Sequence, residues 1–188
     1  MDTKKIIAGM DEAGRGPWAG PVIAAAVILP HRIKLPGLTD SKKLTKAQRE
    51  TLFNLIRSKA WYGVGMASNQ EIDKNGLIPA TNLAFLRALN ALTIKPDHLL
   101  IDGRDKWKLP IPYETIIKGD TKIRAISAAS IIAKVTRDGL MERFALEYPQ
   151  YKFERHKGYG TRLHAEALSK HGVSLLHRKS YQPVKAHL

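Results

Sequence analysis

The sequence predicts an α/β fold, and three features lead to it. A stretch of helical period, PATNLAFLRALNAL (79–92), runs into the short apolar segment HLLID (98–102), the helix-then-buried-strand order of α/β proteins. The first thirty residues read as two buried strands around a glycine-rich turn. Further on, SAASIIAKV (127–135) is small and apolar almost all round, as a helix laid against a sheet must be. At 188 residues and 44% hydrophobic content the chain has the size of one domain, 1–188, with enough apolar material for a core.

Taken in order, KKIIAGM (4–10) is a strand entering the turn DEAGRGPWAG, and PVIAAAVIL (21–29) is the second strand. Thr45 can cap a helix reaching about Ser58, with Ala47, Leu52, Leu55 and Ile56 on its apolar side. WYGVGMAS (61–68) returns to strand character. The helix at 79–92 has proline near its start, where a missing N–H costs nothing. Strands at 98–102 and 113–117 follow, then a long helix from about residue 122 to Tyr148. YKFERHKGYGTRLH (151–164) contains a basic turn, Thr161 can cap a final helix, and a polar tail ends at Leu188. From about residue 140 onward the chain is a helical C-terminal portion.

Charge points to the partner class. There are 31 Lys+Arg against 17 Asp+Glu, a net charge of +14, which favours polyanions such as nucleic acid, although excess lysine can also serve only solubility. No cysteine occurs, so thiolate metal sites and disulfides are excluded and any metal must be held by oxygen or histidine nitrogen. The N-terminus lacks a signal-peptide pattern, and the apolar run at 21–30 is too short to span a bilayer; a cytoplasmic location is expected.

The acids fall where chemistry would need them. Asp11 and Glu12 end the first strand, Asp102 ends another, and Asp120 lies in KGD before the long helix. Strand ends are where α/β folds place ligands, so all four can meet at one sheet edge. Carboxylates about 4 Å apart repel by roughly 4 kcal/mol per pair at an effective dielectric near 20, so protonation or a cation must relieve them. Magnesium or manganese fits that need. Adjacent strand residues face opposite sides, so Asp11 and Glu12 share one site only if the strand ends or bulges there. For any single acid, capping or solvating a turn is an equally good reading. Gly14 and Gly16 flank Arg15 and let backbone amides approach a phosphate or sugar. Neither the Rossmann fingerprint nor the Walker phosphate loop is present.

These motifs occur together and in order: DEAGRGP (11–17), DSKKL (40–44), ID (101–102), KGD (118–120), SAASIIAKVTRD (127–138), HKGYGT (156–161) and HRKSY (177–181). The set resembles bacterial ribonuclease HII over residues 5–181. The resemblance implies a ribonuclease H-like mixed five-stranded sheet flanked by helices. It implies an endonuclease that hydrolyses the RNA strand of RNA/DNA hybrids and cuts 5′ of ribonucleotides embedded in duplex DNA, leaving 3′-hydroxyl and 5′-phosphate ends, with a role in ribonucleotide removal. Asp11, Glu12, Asp102 and Asp120 then correspond to the catalytic, metal-binding carboxylates, with Mg2+ or Mn2+ as cofactor. Gly14, Arg15 and Gly16 correspond to the element that reads the 2′-hydroxyl, and Tyr159 to the tyrosine at the RNA-to-DNA junction.

Lys42, Lys43, Lys157 and Arg162 are candidate phosphate contacts, each of which can equally be a solvated surface cation. Asp138 lies one helical turn from Lys134, a spacing that favours a helix-face ion pair over a fifth catalytic acid. His156, His164, His171 and His177 show no zinc spacing; His156 is a candidate substrate contact. A monomer is expected, and no protein partner is evident. The rival readings are another metal-dependent nuclease or phosphatase, and a noncatalytic nucleic-acid-binding protein whose binding would not depend on metal.

Overall fold

A computed structural model describes residues 5–39 and 41–188. β1 (Ile7–Ala13) and β2 (Val22–Ile28) form an antiparallel pair; α1 (Lys46–Lys59) leads to β3 (Trp61–Ala67), antiparallel to β2. α2 (Asn69–Asn75) and α3 (Leu77–Asn90) cross to β4 (His98–Asp102), which runs parallel to β1, and β5 (Tyr113–Ile116) runs parallel to β4. The sheet order is β3-β2-β1-β4-β5, the mixed five-stranded sheet that the motifs implied. After it come α4 (Gly119–Lys122), α5 (Arg124–Glu147), α6 (Phe153–His156), α7 (Arg162–His171) and α8 (Gln182–Lys185).

Both faces of the sheet are covered. Ala84, Phe85 and Ala88 of α3 pack on Ala8, Met10, Ala24, Leu99 and Ile101. On the other face, Leu52 and Ile56 of α1 and Ile131 and Ile132 of α5 pack on Ile23, Ala25 and Val27. A third cluster joins Met141, Tyr151, Phe153 and Ala167 to Ala19 beyond the first turn. Thr45 caps α1 as expected, accepting from Gln48 N while the Gln48 side chain accepts from Thr45 N. Thr161 Oγ1 accepts from His164 N at the start of α7.

Three expectations need correction. The first strand does not stop at Met10 but runs through Ala13, because β2 supplies pairing partners for Asp11, Glu12 and Ala13; Lys4, where it was expected to begin, lies outside the described residues. α2 was not foreseen, although Ser68 and Glu71 form a full capping box ahead of it. The tail is not simply polar, since His177, Arg178 and Val184 are buried. Among the described residues no helix is long and apolar enough to cross a membrane.

Gly9 sets how closely α5 lies on β1: a Cβ there would stand 2.2 Å from the Ala125 carbonyl carbon and 2.3 Å from Ile126 N. Backbone cannot yield as a side chain can. Gly9→Ala is therefore expected to destabilise by about 2 kcal/mol or more, a fall in Tm on the order of 5 °C in thermal denaturation.

Candidate active site

β1 and β4 are parallel neighbours, with Met10 opposite Ile101, so the next residues, Asp11 and Asp102, leave the sheet side by side on the face that α5 covers. Asp120, in the first turn of α4, completes the group: Asp11, Asp102 and Asp120 each offer a carboxylate oxygen, all within 4.8 Å of one another. Asp102 Oδ1 accepts from Gly119 N (2.7 Å), which fixes α4 against the end of β4. Asp11 Oδ1 accepts from Glu12 N (2.7 Å). Burial, followed by the charges of Glu12 and Asp102, holds the Asp11 carboxyl well above the usual carboxylate range.

Glu12 stands apart from the three aspartates. The ladder with β2 is regular through Ala13, without a bulge, so Glu12 points to the opposite face. It nevertheless lines the same cleft as Asp11. Its Oε1 accepts from Arg15 Nη1 (3.3 Å), and its Oε2 is buried without a hydrogen-bond partner. Burial raises the Glu12 carboxyl while Arg15 opposes the rise. An all-oxygen set of crowded acids, one with an orphaned buried oxygen, fits hard divalent cations.

The cleft has a volume of about 410 Å³. Asp11 and Glu12 form one wall, and Gly14, Arg15, Gly16 and Tyr159 another. Gly14 has φ +98°, a conformation that side chains resist, and a Cβ on it would collide with the Arg137 side chain. Arg15 Nη1 is held by Asp105 Oδ2 (2.7 Å), a partner that the sequence did not reveal. The Tyr159 ring stands 3.7 Å from the place a Gly16 Cβ would occupy, with the Arg137 guanidinium 5.8 Å from its centroid. Tyr159 is 42% exposed.

The remaining candidates divide. Lys42 lines the cleft; Lys43 is exposed beside it on the short helical turn Ser41–Lys43. Asp40, the first residue of that motif, lies outside the described residues. Lys157 instead lines a neighbouring depression, where its Nζ pairs with Glu142 (3.2 Å) and donates to the Glu154 carbonyl. Arg162 is exposed and pairs with Glu166 (2.7 Å). Asp138 is the ion-pair partner of Lys134 (2.9 Å), as its spacing suggested, and Lys134 itself reaches the cleft. Ser41 and Ser130, hydrogen-bonded to each other at 2.7 Å, also line it and were not anticipated.

His156 is not brought to the cleft surface. It is buried, stacked on His164, and both ring nitrogens are used: Nε2–H donates to Tyr151 O (2.9 Å) and Nδ1 accepts from Gly158 N (3.2 Å). His164 and His177 continue the cluster. Ser174 N donates to His177 Nδ1 (2.9 Å), His177 Nε2–H donates to His164 Nε2 (3.0 Å), and His164 Nδ1–H donates to Tyr159 O (3.0 Å). This order gives both rings one neutral tautomer. Burial pushes each down to about 4.

The family model for ribonuclease HII matches residues 8–184. The ribonuclease HII of Bacillus thuringiensis (strain Al Hakam) is 54% identical over 180 residues, covering 95% of this chain and 70% of the relative. The ribonuclease H2 of Pyrococcus horikoshii OT3 superposes with a TM-score of 0.81 at 30% identity, covering 96% of this chain and 95% of that one. The Archaeoglobus fulgidus RNase HII, solved in complex with PCNA, gives 0.80 at 25% identity, covering 94% and 95%.

Two outcomes follow from the electrostatics. Asp11→Asn removes a crowded buried carboxyl, so in EDTA its Tm should exceed the wild type by a few degrees, about 1 kcal/mol, while the rise in Tm that divalent metal gives the wild type should shrink. The histidine pair works with the other sign. Ring pKa values near 4 against an ordinary 6.5 mean that the unfolded chain takes up protons first. Stability should be complete above about pH 6.5 and fall toward pH 4, by on the order of 3 kcal/mol per ring. Urea denaturation across that window should show a shallower loss in His177→Gln.

Proposed function

Since the chain belongs to the ribonuclease HII family, and so to the endoribonucleases that act on RNA/DNA hybrids, we propose that it also incises duplex DNA at single embedded ribonucleotides, on their 5′ side. The observation that carries this reading is one cleft lined by Glu12 and by Asp11, a member of the three-aspartate cluster, and also by a glycine-flanked turn with a partly exposed tyrosine beside it. The carboxylates suit hydrolysis of a phosphodiester, and the turn suits recognition of one ribose.

Asp11, Glu12, Asp102 and Asp120 would hold two divalent cations, magnesium or manganese. When bound, these supply Lewis acidity, lowering the pKa of the attacking water and offsetting charge on the phosphate and the departing oxygen. The products would be a 3′-hydroxyl and a 5′-phosphate, and no side-chain nucleophile is required. The backbone at Gly14, Arg15 and Gly16 approaches the 2′-hydroxyl, which separates ribose from deoxyribose at that position. Tyr159 stacks on the sugar of the following deoxynucleotide, where a second hydroxyl would interfere.

Lys42, Lys43, Lys157 and Arg162 contact phosphates and set the register of the duplex. His156 serves from behind, holding Gly158 beneath the tyrosine loop. The helical portion from about residue 140 contributes Tyr159 and thereby the junction contact. A single copy carries all these groups, which supports action as a monomer in one catalytic domain spanning 1–188. The reaction fits removal of ribonucleotides during replication and repair.

The direct test compares a DNA duplex containing one ribonucleotide with an all-DNA control in magnesium, manganese and EDTA, with strand products mapped. Incision 5′ of the ribonucleotide in either metal and none in EDTA is expected, and Asp102→Asn should slow it on the order of a thousandfold. Tyr159→Ala should slow single-ribonucleotide incision by roughly two- to tenfold while sparing continuous hybrid. Metal-independent binding without incision would sink the proposal in favour of a simple binding protein.

A further inference from the structure

The motif HRKSY, whose Arg178 lies 163 residues from Arg15, is left without a role by the chemistry above. Arg178 within it is fully buried, at 0% exposure. Its Nε–H donates to Gly20 O (3.0 Å), Nη1–H to Arg15 O (2.9 Å) and to Tyr181 Oη (2.9 Å), and Nη2–H to Gly14 O. The Tyr181 hydroxyl donates in turn to Arg15 O (2.6 Å). Among the described residues these hydrogen-bond partners are carbonyls and a hydroxyl, not a carboxylate. Burying a guanidinium in this way is costly unless its donors are matched, and here they are matched to the turn itself.

The geometry has a directional result. In a trans peptide the C=O and the following N–H point opposite ways. Pinning the carbonyls of Gly14 and Arg15 inward therefore turns the amides of Arg15 and Gly16 outward, to the cleft that both residues line. Among the described residues neither amide has a backbone acceptor. We propose that Arg178 and Tyr181 are positioning residues for ribose recognition, holding two peptide planes so that their N–H groups face the 2′-hydroxyl. The inference rests on the ribose-reading role given to the turn above.

The test uses the full chain in magnesium. Incision of a duplex with one ribonucleotide gives kcat/KM, and inhibition of that reaction by the all-DNA duplex gives Ki for the same surface without a 2′-hydroxyl. Arg178→Lys keeps the charge but cannot match the fork; it should lower kcat/KM about tenfold or more, with Ki within about twofold of wild type. Tyr181→Phe keeps the ring and loses one donor, and should lower kcat/KM several-fold, again at constant Ki. A parallel change in both parameters, or a Tyr181→Phe protein with wild-type kcat/KM, would overturn the inference and leave Arg178 as packing. Should Arg178→Lys fail to fold, Tyr181→Phe decides by the same criterion. Wild-type protein that does not incise the ribonucleotide sinks the underlying functional reading, whereas normal wild-type incision with indifferent variants sinks this inference alone.

Discussion

β1 has an antiparallel neighbour on one side and a parallel neighbour on the other, and most of the site depends on that arrangement. The parallel partner, β4, must finish at the same sheet edge, so the two strands release Asp11 and Asp102 together. Their mutual repulsion is then built into the backbone pairing and is not a matter of side-chain choice. Sliding β4 by one residue would turn Asp102 to the other face and break the packing of Leu99 and Ile101 on α3. The hydrophobic core thus enforces an electrostatically unfavourable cluster, and a bound cation can return the energy.

Around this cluster the interior grows more polar toward the C-terminus. Arg137 spans the gap between two loops that reach the cleft: its donors reach Pro21 O, Ala19 O and Lys157 O, and its charge lies near the Tyr159 ring. Burial and the nearby Arg178 push it down to about 10, still a cation at neutral pH. Two cations behind the glycine turn leave a positive field facing a cleft whose acids would otherwise repel a phosphate backbone. The histidine cluster anchors the Tyr159 carbonyl with neutral groups, so it adds rigidity without adding charge.

Much of this was legible in the sequence because local signals agreed with tertiary need. Thr45 and Thr161 marked helix starts, the small apolar run 127–135 marked the helix on the sheet, and the four acids stood out in a basic chain. What escaped was decided by distant partners. Asp11 and Glu12 look like strand breakers, yet pairing with Ala24 and Ala25 keeps them in β1. His156 sits in a basic turn, and its stacking on His164, which His177 meets at a tilt, makes it an interior residue. Nothing local to Arg178 announces the carbonyls that surround it. The short α2 carried a capping box but too few residues for an apolar period.

The span from Gly14 to Arg178 also orders events in time. A ribosome delivers residues 11–16 well before residue 178, so the strands that carry the carboxylates are synthesised before the side chain that pins the turn. A nascent chain halted before residue 178 would hold its acid cluster without the clamp on the adjacent turn. The conformation of the turn is thus tied to a segment synthesised 163 residues later.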